Sequence, residues 1–218
     1  MLKAIFFDID NTLFPSRKFV ELARRNAISA MVQVGLPFDE EHLYKRLLHI
    51  VKRYGSNYPH HFERLLDDLN WDRDPKIVAA GIAAYHNTKL SLSPYPDVPK
   101  TLLALRDMGY RLYVLSQGLP VKQWDKLIRL GLHFFFTDVF VTEKAKDTAF
   151  YKRVLRKLKL KPSEALMVGD KPKSDIVPAK RAGIRTVLIA PAGRKQGADF
   201  RIRTMHELLK VVSKIKNA

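Results

Sequence analysis

The stretch Ala4-Ile5-Phe6-Phe7-Asp8-Ile9-Asp10-Asn11-Thr12-Leu13-Phe14 decides how the rest of this 218-residue chain is read. From Leu2 to Phe7 the sequence is almost wholly apolar, the pattern of a parallel strand buried on both faces. Asp8, Asp10 and Thr12 follow at its end. Residues two apart in extended backbone point the same way, a rule that weakens as the chain turns. Asn11 suits such a turn, because its side chain can bond its own backbone and because it tolerates the left-handed region. Two carboxylates at the mouth of an apolar strand repel each other and resist desolvation, so a metal ion or a proton must offset the cost. Taken alone, the pattern fits equally well a strand that ends in a polar turn.

Composition narrows the class. A hydrophobic content of 46% supports a real core, and the length suits one large domain or a core with an insert. No run of ~18 uncharged apolar residues is present, so no membrane span is expected. The chain enters its first strand at once, which leaves no room for a secretory signal. With no cysteine there are no disulfides and no thiolate chemistry, and a cytoplasmic location is expected. The formal charge is +17, from 39 Lys plus Arg against 22 Asp plus Glu. It reads as a solvated surface of the kind thermophiles carry, as a field that draws in phosphorylated small molecules, or as a nucleic-acid footprint. The basic residues are spread over many helices, which favours the first and makes nucleic acid the least favoured.

Downstream of Phe14 the periodicity changes. Phe19–Val34 has helical spacing and is stopped by Gly35. Asp39 caps a helix predicted over Glu40–Tyr54. The loop Gly55–Pro59 and helices over His60–Leu69 and Pro75–Leu90 follow. No strand is expected between Pro15 and Leu90. Ser91–Pro96 is a linker, Asp97 a cap for the helix Val98–Met108, and then strands and helices alternate as in a parallel sheet. Strands are predicted at Arg111–Leu115, Thr137–Val141, Ala165–Val168 and Arg185–Ile189. The helices between and after them are Pro120–Leu130, Thr148–Leu158, Ser174–Ala182 and Thr204–Ile215.

Three further places carry chemistry. Ser116 stands at a strand-to-helix turn, where a hydroxyl and free N–H groups suit a phosphate oxygen, although a serine there is more often a plain cap. Lys144 and Lys146 precede the helix that opens near Thr148. A fixed ammonium at that point would neutralise a nucleophile and a phosphate; a solvated surface charge is the plain alternative. Lys146 is favoured because it abuts Asp147 and Thr148, whereas counting back from Phe150 without a gap favours Lys144. Last, Met167-Val168-Gly169-Asp170 ends a strand, with Asp175 five residues beyond. Gly169 permits a sharp turn, Asp170 then faces the same crevice as Asp8, and Asp175 alone would pass for an N-cap.

These four motifs, in this order at predicted strand ends, resemble those of the haloacid dehalogenase superfamily. The branch is the one with a helical C1-type cap, similar to phosphoglycolate phosphatases, and an archaeal source is expected. Gln117 departs from the Asn usual beside Ser116, and no Pro follows the lysine.

The resemblance implies an α/β, Rossmann-like three-layer sandwich with a five-stranded parallel sheet of order 5-4-1-2-3. It implies a core of 1–14 and 91–218 and a helical cap of 15–90. It further implies a Mg²⁺-dependent phosphatase acting on a small phosphorylated metabolite through an aspartyl phosphate. Asp8 is then the nucleophile and Asp10 the acid–base. Thr12, Ser116, Gln117 and Lys146 serve the phosphoryl group. Asp8, Asp10 (through its carbonyl) and Asp170 hold the metal, with Asp175 and Gly169 in support. Asp10 argues against dehalogenation, since halide needs no proton. The other readings are a nucleotide or nucleic-acid-end phosphatase, a phosphomutase and, least favoured, a non-enzymatic phosphate binder. A monomer or homodimer is expected. Substrate contacts are sought at Arg17, Lys18 and the loop Tyr54–His61.

Overall fold

A computed structural model describes residues 1–193 and 196–216. The centre of the fold is β1, Ala4–Phe7, every residue of which is buried. It is flanked by β2 (Arg111–Gln117) on one side and β4 (Ala165–Gly169) on the other, both parallel to it. Beyond them lie β3 (Asp138–Thr142), β5 (Arg185–Ile189) and β6 (Phe200–Ile202), in the order β3-β2-β1-β4-β5-β6.

The sheet is thus six-stranded, not five-stranded as expected; the order of the first five strands is as expected. The added strand pairs Phe200, Arg201 and Ile202 with Val187, Leu188 and Ile189. Three residues with an arginine in the middle carry no strand signal of their own. β5 supplies the pairing that makes them one.

Both faces of the sheet are covered, as parallel sheets require. On one face Phe6, Tyr113, Leu115 and Met167 pack with Phe150, Tyr151, Val154 and Leu155 of α7 (Thr148–Leu158) and with Ala179 of α8 (Val177–Arg181). The opposite-facing Ile5, Phe7, Leu112, Val114, Leu166 and Val168 are equally inaccessible. Helix α5 (Val98–Asp107) lies against β2, α6 (Pro120–Arg129) against β3, and α9 (Leu208–Lys216) against α5.

The first helix begins at Ser16 and not Phe19, and α9 at Leu208 and not Thr204, while two further helix N-termini differ from expectation in their chemistry. Asp97 makes no side-chain cap; its Oδ2 instead accepts from the His206 N–H at 2.9 Å, tying α5 to the final segment. The helix expected over Ser174–Ala182 is a π-turn, Pro172–Ile176, followed by α8. Pro178 lacks the N–H that would have closed on the Ser174 carbonyl. The Tyr151 hydroxyl donates to that carbonyl instead, at 2.9 Å.

The chain divides into two compact units, Met1–Ser16 with Ser93–Ala218, and Arg17–Leu92. The second is helical: α1 (Ser16–Gln33), α2 (Glu40–Tyr54), α3 (His61–Asp68) and α4 (Pro75–Thr88) enclose Met31, Leu43, Leu47, Leu65, Leu66 and Ile77. Asp39 caps α2 as expected, accepting from the His42 N–H at 2.8 Å. Among the described residues, no helix is long and apolar enough to cross a membrane.

Candidate active site

The register of the sheet sets the site. Phe7 is level with Val114 on β2 and Val168 on β4, so the next residues, Asp8, Leu115 and Gly169, reach the carboxyl edge together. β1 and β4 are the strands between which the sequence order reverses, and open α/β sheets bind ligands at that point. The chain then turns sharply: Asn11 takes the left-handed conformation expected of it, with φ of 55°.

Asp8 is buried, and Lys146 donates to its Oδ1 at 2.6 Å. The same ammonium lies 2.6 Å from Asp175 Oδ1 and donates to the Leu115 carbonyl at 3.2 Å. Of the two lysines left open by the sequence, Lys146 is the one brought to Asp8; Lys144 is exposed. Burial alone would push the Lys146 ammonium towards neutrality, but Asp8 and Asp175 outweigh it and hold its pKa above the ordinary lysine value. For Asp175, desolvation and then the Asp8 charge raise the pKa against the pull of Lys146.

Asp175 also accepts the Lys171 N–H at 2.9 Å through Oδ2. Both its oxygens are therefore committed to protein donors, and it is a support rather than a plain N-cap. This explains Gly169. A Cβ there would lie 2.5 Å from the Asp175 side chain, so the glycine provides space and not, as the sequence suggested, the conformational freedom for a sharp turn.

Asp170 faces the same cluster. Ligand atoms of Asp8, Asp170 and Asp175 lie within 4.8 Å of one another. Desolvation and the Asp8 charge push the Asp170 carboxyl up to about 6, and Asn11 Nδ2 donates to its Oδ2 at 3.3 Å. Three carboxylates against one ammonium leave an excess of negative charge, and an all-oxygen donor set suits a hard divalent cation.

Ser116 is buried at the end of β2, with Gln117 as the last residue of that strand. The Thr12 hydroxyl is buried and has no hydrogen-bond partner among the described residues. Such a group costs ~1–3 kcal/mol unless something binds it.

Sequence reading missed two members of the site, both on α6. Lys126 donates to both oxygens of Asp10, at 2.8 and 2.9 Å, and to Gln123 Oε1 at 3.3 Å. Gln123 is buried, accepts from Ser116 Oγ at 3.4 Å and donates to the Gln117 carbonyl at 3.2 Å. Their spacing of three places them on one helix face, but nothing in the sequence says that this face turns towards Asp10. In the loop Tyr54–His61, His60 meets Glu63 and His61 meets the Gly55 carbonyl, each at 2.9 Å, contacts internal to the helical unit.

The arrangement sets a buried carboxylate beside a fixed ammonium, two hydroxyls and a second carboxylate, at the carboxyl edge of a parallel sheet. Comparisons with known proteins point the same way. The haloacid dehalogenase-like hydrolase family matches residues 2–183. A glyceraldehyde 3-phosphate phosphatase of Methanopyrus kandleri is 46% identical, over 99% of both chains. That of Methanocaldococcus jannaschii is 42% identical, again over 99% of both. Among solved structures, a phosphatase of this family from Thermococcus onnurineus aligns with a TM-score of 0.69 at 26% identity, covering 97% of this chain and 98% of that one. A hydrolase of the same fold from Bacillus subtilis, bound to magnesium, aligns at 0.73 and 19% identity, covering 97% and 99%.

Proposed function

The chain belongs to the haloacid dehalogenase-like hydrolase family and is a phosphatase of that family, and from this premise we propose that it hydrolyses glyceraldehyde 3-phosphate or a closely similar small phosphorylated metabolite through an aspartyl phosphate. The observation that carries the reading is the buried Lys146 ammonium, 2.6 Å from Asp8 at the end of the central strand. The substrate comes from the relatives, whose full length this chain shares.

Phosphate monoesters are so inert that catalysed rates can exceed the uncatalysed by ~10²¹. Asp8 attacks phosphorus in line, the P–O bond to the substrate breaks, and the phosphoryl group passes to the Asp8 carboxylate. Asp10 gives a proton to the departing alkoxide and then takes one from the water that releases phosphate from Asp8. Lys146, Ser116, Thr12 and the Gln117 N–H hold phosphoryl oxygens where charge concentrates. Asp8, the Asp10 carbonyl and Asp170 would hold a divalent metal such as Mg²⁺, which would supply charge neutralisation between two anions. Asp175 keeps Lys146 and the Lys171 turn in place. The segment 15–90 is assigned the choice of substrate, and 1–14 with 91–218 the chemistry.

The test is phosphate release by purified protein with Mg²⁺ on a panel of glyceraldehyde 3-phosphate, phosphoglycolate, sugar phosphates and a 5′-phosphorylated oligonucleotide. Glyceraldehyde 3-phosphate should have the highest kcat/KM. The Asp8→Asn protein should fold and release none. A faster sugar phosphate would replace the substrate, and turnover by Asp8→Asn would remove the nucleophile.

A further inference from the structure

Helix α6 buries Leu127, yet the rest of it departs from the usual amphipathic arrangement. Val121, Trp124 and Ile128, spaced three and four apart, form an apolar stripe that stays 81%, 41% and 56% exposed. The polar pair Gln123 and Lys126 goes inward, with Gln123 only 4% exposed and the Lys126 side chain 25%. Leaving apolar surface in water while desolvating a lysine opposes the usual amphipathic preference, so the inward polar face needs its own cause. Gln123 lies over the end of β2 with its amide against Gly118, where a Cβ would push that amide out of place. From there its Oε1 meets both Ser116 Oγ and Lys126 Nζ, and Lys126 reaches both Asp10 oxygens.

We propose that Lys126, anchored by Gln123, is the positioning residue that holds the Asp10 carboxyl group in its working orientation and ties it to the phosphoryl-binding end of β2. This rests on the acid–base role given to Asp10 above. Asp10 follows the strand in a tight turn, and its side chain rotates unless something holds it. An ammonium bonded to both oxygens fixes that rotation, and Gln123 fixes the ammonium. A carboxyl group placed 1 Å off its target can forfeit ~10² in rate. The chain Ser116–Gln123–Lys126–Asp10 thus sets the distance between the group that grips the phosphoryl oxygen and the group that serves the leaving oxygen.

The test compares Lys126→Met, which keeps the length of the side chain and loses its charge, with Lys126→Arg, which keeps a cation. Each is assayed on an alkyl phosphate and on p-nitrophenyl phosphate, whose leaving group needs no proton. Lys126→Met should lower kcat/KM on the alkyl ester, which reports the step in which the leaving group departs, by about 10–10²-fold, as expected for a misplaced general acid, with little change in kcat/KM on the nitrophenyl ester. Lys126→Arg should recover part of the loss. In a double-mutant cycle, Lys126→Met should add almost nothing once Asp10 is Asn, because its whole effect passes through that residue. An equal fall in kcat/KM on both esters, a rise in kcat/KM on the alkyl ester, or full additivity with Asp10→Asn would overturn the proposal, while a leaving-group-dependent Asp10→Asn would leave the proposed function standing. If Asp10→Asn itself lowers kcat/KM equally on both esters, the general-acid reading falls and this proposal with it.

Discussion

Lys146 sits 2.6 Å from both Asp8 and Asp175, and all three side chains are almost fully buried. Removing one partner from such a set strands the others, which typically costs ~3–5 kcal/mol. Lys146→Ala is therefore expected to lower the unfolding midpoint strongly and, in whatever fraction folds, to cost about 10²–10³ in kcat. Lys144→Ala, at an exposed position, should be nearly silent in both assays. Asp170 gives a signed pH effect. Its carboxyl group titrates at about 6 in the native state against 3.8 ordinarily, so ionising it costs the metal-free fold stability as pH rises through 6. Asp170→Asn should then raise the midpoint of the chelator-treated protein at pH 7.5, with the gain vanishing towards pH 4. Added Mg²⁺ should stabilise wild type and not the variant, because ligand binding to the native state alone shifts unfolding. A lower midpoint for Asp170→Asn at pH 7.5 would contradict the raised pKa. That Asp8 and Asp170 come to the same crevice was legible in the sequence because each directly follows a strand. Lys126 was not, because its role depends on how a helix is rotated about its axis.

At the level of elements, the sheet order and most helix bounds follow from patterning, and α2 and α7 begin where the caps Asp39 and Asp147 put them. The departures are local. β6 is made by its neighbour, and the π-turn before α8 is made by Pro178 together with a hydroxyl from α7. Neither signal lies within the segment that responds to it. The turn between β4 and α8 is also where one atom should be felt most. Gly169→Ala places a methyl group 2.5 Å from Asp175, and overpacking of this kind costs ~1–3 kcal/mol. Asp175 must move, and Lys146 with it, so kcat should fall by about 10²-fold. Unchanged kcat would mean that Asp175 does not set the position of Lys146.

For the molecule as a whole, the 39 Lys and Arg are spread over separate helices and several are paired locally, with the net +17 as the excess over the 22 Asp and Glu. Arg25 pairs with Glu41, Arg46 with Asp68, and Arg73 with Asp67. These are solvated pairs of small individual value. Binding to duplex DNA should consequently be weak, fall steeply with salt and vanish near physiological ionic strength. A 5′-phosphorylated oligonucleotide should be dephosphorylated more slowly than glyceraldehyde 3-phosphate. Faster turnover of the oligonucleotide would reverse the assignment of substrate class.

The Tyr95 N–H donates to the Leu13 carbonyl at 3.0 Å, just outside the two boundaries of the helical unit. The outgoing and returning chains are therefore stapled together on the core side of both boundaries. The insert behaves as a cassette. Splicing Ser16 to Ser93 through a short flexible linker should give a core that still folds, and exchanging the insert for that of a relative should graft a new substrate preference onto an unaltered reaction centre.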